Sequence, residues 1–162
     1  LGQGTIVQMH LPRSSHLVDE PADETMQMVG GNENLLLIED DLHVRNAVAQ
    51  LLIDMGYVVS TAYAPEIALR YIRLGLQPEL IVSDIRMPGK ISVIEMVAQL
   101  EAEQRLPPIL FMTGYAPEVA IKEGLVDGRF PVIYKPIAAE ELAHKVREVL
   151  EASKARRTDP KT

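Results

Sequence analysis

Two hydrophobic periods alternate along the middle of this chain. Short apolar runs occur at Leu35 to Ile38, Tyr57 to Ser60, Leu80 to Ser83, Ile109 to Met112 and Val132 to Tyr134, each bounded by polar residues, glycine or proline. Runs of this length and composition predict strands. Between them lie helical stripes. Val44, Val48, Leu51, Leu52 and Met55 recur on one helix face, as do Ile67, Ala68, Tyr71 and Ile72. Val93, Met96, Val97 and Leu100 repeat the pattern, and so do Leu142, Val146, Val149 and Leu150. The stretch from Ala116 to Leu125 carries the poorest stripe of the set. Five β-then-α units predict an α/β fold, a doubly wound, five-stranded parallel sheet covered on both faces.

The flanks follow neither period. Residues 14–33, from "SSHLVDEP" to "VGGNE", are polar, aperiodic and contain a Gly-Gly pair, which predicts a linker. The end of the chain, "SKARRTDPKT" at residues 153–162, is basic and carries a proline, and reads as a solvated, mobile tail. The chain begins with Leu1 rather than methionine, so a fragment is expected.

Composition narrows the class of function. The chain has 162 residues, of which 47% are apolar and 24% charged, enough for one domain with a sizeable core. The net charge of −7 argues against nucleic acid or an anionic membrane surface as partner. With no cysteine there is no disulfide and no thiolate metal site, which fits a reducing, cytoplasmic compartment. No apolar run approaches the ~18 residues of a membrane span, and no signal-peptide pattern opens the chain.

The chemistry gathers at strand ends. In a doubly wound sheet, ligands bind beyond the carboxyl ends of the strands, where strand order reverses. The first predicted strand ends in "IEDD", giving Glu39, Asp40 and Asp41, and the third ends in Asp84. Those two strands are natural neighbours at the reversal point, so their carboxylates converge and would repel. A hard divalent cation relieves that, and Mg²⁺ is the usual one where phosphate is handled. The fourth strand ends in "FMTG" and the fifth in "YKP", adding the hydroxyl of Thr113 and the ammonium of Lys135 to the same edge. Such a set can neutralise the oxygens of a phosphoryl group in transit, with Asp84 as the nucleophile that accepts it. Taken singly, each residue has a plainer explanation. An aspartate at a strand-to-helix junction is commonly a helix N-cap, and Asp41 is read that way. A lone Thr-Gly is commonly a turn, and most lysines are merely solvated. Four of five strand ends delivering matching groups favours the chemical reading.

These residues carry a family resemblance. "LLLIEDD", "LIVSDIRMPG", "ILFMTGYA" and "VIYKP" fall in the order and separation of the signature blocks of response regulator receiver domains, which residues 34–152 resemble over nearly their whole length. The resemblance implies a flavodoxin-like sheet of order 2-1-3-4-5. It implies Asp84 as phosphoacceptor, and Mg²⁺ held by Glu39, Asp40, Asp84 and the backbone carbonyl of Arg86. It makes Thr113 the switch hydroxyl and Lys135 the lysine that pairs with the phosphoryl group, with a cis Lys135–Pro136 bond that only an X-Pro link makes inexpensive. The donor would be a histidine kinase or a histidine phosphotransfer domain. Two positions depart from the family pattern. "MPGKIS" has Ser92 where the family often has glycine, so the loop after Asp84 is expected to take another shape. The aromatic that the family carries three residues before the lysine is Val132, while Tyr134, one residue before Lys135, is expected on the other face.

The first residues carry a second resemblance. "GQGTIVQMHLPR", residues 2–13, is similar to the last strand of a histidine-kinase ATP-binding domain. That makes residues 1–13 a remnant of such a domain, and the chain the C-terminal part of a hybrid sensor kinase whose own core is a further candidate partner. The parent kinase would be the membrane-anchored part, if any is. In this fragment the orphan strand is expected to fray or to dock on a partner's edge. Self-association into a homodimer is left open. Two other functions compete with the phosphoacceptor. A haloacid-dehalogenase-like phosphatase wants a second aspartate two residues after the nucleophile, where this chain has Arg86. A phosphorylation-independent interaction module would explain Ser92 and Val132 but not the retained acidic, hydroxyl and lysine groups.

Overall fold

A computed structural model describes residues 30–115 and 128–158. The remnant strand, most of the predicted linker and the weak stripe from Ala116 to Leu125 lie outside the described residues. In chain order the elements are β1 (Asn34–Ile38), α1 (Leu42–Asp54), β2 (Val58–Ala62), α2 (Pro65–Arg73), β3 (Leu80–Asp84), α3 (Val93–Ala102), β4 (Ile109–Thr113), β5 (Val132–Tyr134) and α4 (Ala139–Thr158). All strand pairs are parallel and the order is β2-β1-β3-β4-β5, as the pattern and the resemblance imply.

The continuous apolar runs have a simple cause. Neighbouring residues of a strand face opposite sides, and here both sides are covered. Leu35 and Leu37 pack with Val48, Leu52, Leu142 and Val146 on the α1/α4 side. Leu36 and Ile38 pack with Ala68, Ile72, Met96 and Leu100 on the α2/α3 side. The stripes of α1 and α3 point inward as their spacing predicts. In α2 the inward face is Ala68, Leu69 and Ile72, while Tyr71 is turned outward and substantially exposed.

The departures from expectation are local. Ser92 has a defined place at the start of α3. It caps α3, its hydroxyl accepting from the Glu95 N–H at 3.1 Å while the Glu95 carboxylate accepts from the Ser92 N–H at 2.6 Å. This reciprocal box satisfies two otherwise orphan donors, which glycine could not do. Val132 and Tyr134 are both half-buried on either side of buried Ile133, so Tyr134 shares the face of Val132. The expectation that it faces the other way is corrected by the two-residue period of a strand.

Both chain boundaries also shift. Helix α4 runs through the first part of the predicted tail, to Thr158. Glu33, assigned to the linker, is buried, and accepts from Arg147 Nη2 at 2.6 Å and Lys154 Nζ at 2.7 Å. The glycine pair permits this approach. A Cβ on Gly30 would lie 1.9 Å from the Met55 carbonyl oxygen, and one on Gly31 2.0 Å from the Glu33 carboxylate. The contact explains both shifts, since the last helical turns gain a buried anion to bind.

Candidate functional site

The carboxyl ends of β1 and β3 bring Glu39 and Asp84 together around the ammonium of Lys135, which follows β5. Lys135 Nζ donates to Asp84 Oδ2 at 2.5 Å and to Glu39 Oε2 at 2.6 Å. Lys135 arrives there because its own N–H donates to the Thr113 carbonyl at 2.7 Å, continuing the β4–β5 ladder one step. The Lys135–Pro136 peptide that follows is cis, as implied by the resemblance. Asp84 ends β3 opposite Met112, one residue before Thr113. Its second oxygen, Oδ1, accepts from the Arg86 N–H at 2.9 Å.

Burial and charge oppose each other at this cluster. Glu39 is only 2% exposed, and its desolvation raises the carboxyl pKa above the ordinary value despite the opposing pull of Lys135. Burial alone would lower the ammonium pKa of Lys135, but its hydrogen bonds to Asp84 and Glu39 raise it. The lysine therefore stays charged. It serves as the counter-ion that two facing carboxylates require.

The turn after β1 is fixed by its own side chains. Asp41 caps α1, accepting from His43 N at 2.8 Å and Val44 N at 3.0 Å, and these bonds lower its pKa. The N-cap role read for Asp41 is thus observed. Arg45 reaches back from α1 and donates to the carbonyls of Glu39 at 2.6 Å and Asp40 at 3.0 Å. Sequence reading missed this arginine, although its place one helical turn after Asp41 was a usable signal.

Thr113 is buried, and its Oγ1 accepts from the Tyr115 N–H at 3.1 Å. The Tyr115 hydroxyl in turn meets Arg86 Nη1 at 2.9 Å, with the guanidinium 5.3 Å from the ring centroid. The Tyr115 ring was not singled out from the sequence, and Arg86 entered there only through its backbone carbonyl and as the residue that stands where a phosphatase needs a second acid. Both lie within quoted blocks, but nothing in a one-dimensional pattern joins residues 86 and 115.

Among the described residues, no three acidic, histidine or cysteine side chains stand close enough together to form a ready metal site. Glu39 and Asp84 do converge, and the cation between them is Lys135. Asp40 is exposed beside them. This all-oxygen donor set suits a hard divalent ion by its chemistry. Clefts of about 530 and 450 Å³ lie elsewhere, one along Pro108, Phe130 and Val149, the other between α2 and α3. Asp84 instead stands at the carboxyl end of the central strand β3, its side chain 14% exposed.

The family of response regulator receiver domains matches residues 35–147, and the chain belongs to it. Such domains are the receivers of two-component systems. The chain is 32% identical over 126 residues to the transcriptional regulatory protein AfsQ1 of Streptomyces coelicolor, covering 78% of this chain and 55% of that protein. It is 28% identical to the sensor kinase CckA of Brucella abortus, covering 93% of this chain and 17% of that one. In structure it is similar to the chemotaxis protein CheY4 of Vibrio cholerae, with a TM-score of 0.64 and 26% identity over 74% of this chain and 99% of CheY4. The chain spans about half the length of AfsQ1 and of the transcriptional regulatory protein DltR of Streptococcus agalactiae. No described helix is long and apolar enough to cross a membrane.

Proposed function

We propose that this chain is a phosphoacceptor that takes a phosphoryl group from a phosphohistidine onto Asp84. The observation that carries the reading is the Lys135 ammonium shared between Asp84 and buried Glu39. An Asp84 carboxylate oxygen attacks phosphorus, the P–N bond breaks, and its electron pair leaves with the imidazole, which takes a proton from water. The product is an acyl phosphate. Lys135 turns from Glu39 toward the new anionic oxygens, and Thr113 Oγ1, released from the Tyr115 N–H, donates to one of them. Glu39, Asp40, Asp84 and the Arg86 carbonyl would hold Mg²⁺, which supplies positive charge to the equatorial oxygens. Hydrolysis reverses the gain: water attacks phosphorus, the P–O bond to Asp84 breaks, and inorganic phosphate leaves.

The phosphoryl donor in this reading is a histidine kinase or a phosphotransfer protein. The similarity to CckA over 93% of this chain supports a hybrid-kinase setting, in which residues 1–13 end an ATP-binding domain and 14–33 lead into the receiver. A phosphatase of the haloacid-dehalogenase type is disfavoured by the guanidinium of Arg86 where that chemistry needs an acid.

Intact mass after incubation with Mg²⁺ and acetyl phosphate tests the acceptor. One added phosphoryl group is expected in the wild type and none in Asp84→Ala. No gain in the folded wild type, or an equal gain in the variant, would reject the assignment.

A further inference from the structure

We infer that Arg45 is a positioning residue for the acidic end of β1, directing the Glu39 carboxylate through the peptide between Asp40 and Asp41. The inference rests on the reading of Asp84 as acceptor, with Glu39 and Asp40 as carboxylates that would hold Mg²⁺. Pairing with β2 ends at Glu39, whose N–H donates to the Ala62 carbonyl at 3.1 Å. Beyond it the chain turns into α1, and three consecutive carbonyls meet one residue. Arg45 Nη1 donates to the carbonyl of Glu39 at 2.6 Å and to that of Asp40 at 3.0 Å. The Arg45 N–H donates to the Asp41 carbonyl at 2.9 Å.

A trans peptide is planar, with its N–H opposite its C=O, so fixing one end fixes the other. The grip of Arg45 on the Asp40 carbonyl therefore aims the Asp41 N–H, which donates to Glu39 Oε1 at 3.4 Å. A bond of that length is sensitive to the tilt of the peptide plane. Glu39 Oε2 is held by Lys135 Nζ at 2.6 Å. In the proposed transfer Lys135 turns toward the new anionic oxygens, and the Asp41 N–H keeps this buried carboxylate directed into the site. The half-buried guanidinium suits the task, because Nη1 carries two hydrogens in a rigid plane and both find a carbonyl. As a charge, however, Arg45 repels a divalent cation nearby. The two effects have opposite signs: losing a repulsive charge strengthens Mg²⁺ binding, and losing a positioning contact weakens it.

Calorimetric titration of the full chain with Mg²⁺ alone separates them, with urea midpoints checking that each variant folds. Arg45→Met removes the charge and the donors together and is expected to weaken Mg²⁺ about tenfold, as loss of a group supporting a metal ligand does. Arg45→Lys keeps the charge and a donor without the rigid plane, and is expected to recover part of that loss. The Asp41 amide gives a second readout that needs no metal. Its hydrogen exchange, followed by NMR, should accelerate in Arg45→Met and less so in Arg45→Lys, while the amides of Val48 and Leu52 within α1 keep their protection. Mg²⁺ bound by Arg45→Met as tightly as by wild type, or more tightly, overturns the inference. So does an Asp41 amide unchanged in both variants, or a loss of protection throughout α1, which would make Arg45 a support of the helix alone. Should Arg45→Met fail to fold, Arg45→Lys carries both readouts. A wild type that neither binds Mg²⁺ nor gains mass from acetyl phosphate rejects the acceptor reading itself and the inference with it, a result distinct from the others because the Asp41 amide still reports on Arg45.

Discussion

Single residues decide where this chain departs from its family, and Ser92 is the clearest instance. Its hydroxyl and backbone close a reciprocal cap with Glu95 at the start of α3, the helix that follows the acceptor loop. Serine to alanine at such a position removes an acceptor that the first helical turn needs, whereas glycine lets water and backbone geometry compensate. Ser92→Ala is therefore expected to lower stability by about 1 kcal/mol and Ser92→Gly by only a few tenths, read from urea unfolding midpoints. Equal losses in the two variants would mean that the cap contributes nothing specific. The capping signature, a serine followed three residues later by glutamate, was legible in the sequence. The family comparison drew attention to the missing glycine instead. The Arg86–Tyr115 pair was not legible, because it joins side chains that follow different strands.

At the scale of elements, the junction between the start of the fold and α4 is the least expected contact. The bond from Arg147 to Glu33 dominates, opposed by burial and aided by Lys154, and lowers the Glu33 pKa from 4.5 to about 2. The sign follows from linkage: a carboxyl whose folded pKa is depressed adds stability above its unfolded pKa and loses it as pH falls through the folded one. Glu33 thus adds on the order of 2 kcal/mol at neutral pH, the exposed Lys154 arm being discounted for solvent screening. Glu33→Gln should cost about that much at pH 7, and the gap to wild type should close between about pH 4.5 and 2. Urea midpoints measured across that range check it; a gap that stays constant with pH would show the loss to be packing rather than charge. Residues 30–33 read as linker because a buried ion pair has no hydrophobic period. The core stripes of α1, α3 and α4 were readable for the opposite reason, each burying one apolar face.

The whole molecule is tied together at the site by one ammonium. In a sheet ordered β2-β1-β3-β4-β5, Lys135 leaves the edge strand, passes β4 and bonds carboxylates from both β3 and β1. The convergence itself was predictable, since parallel strands bring all their carboxyl ends to one edge, but the shared lysine was not. Removing it leaves Glu39, 2% exposed, facing Asp84 with no cation between them. Breaking a buried pair by deleting one partner costs a few kcal/mol, and the partial exposure of this site moderates it to about 2 kcal/mol. Lys135→Ala should lose that much at pH 7. The variant should regain stability as pH falls, because the desolvated Glu39 carboxylate, whose pKa burial already raises, loses the lysine that opposed that shift and binds a proton more readily when folded than unfolded. Mg²⁺ should also restore it, by up to about 2.7 kcal/mol at a concentration near a hundredfold above the dissociation constant. Urea unfolding at pH 7 and at mildly acidic pH, with and without Mg²⁺, separates these terms. A variant as stable as wild type at pH 7, or one that Mg²⁺ leaves unchanged, would mean that the acidic edge needs no cation, and would remove the electrostatic basis for a phosphoryl site there.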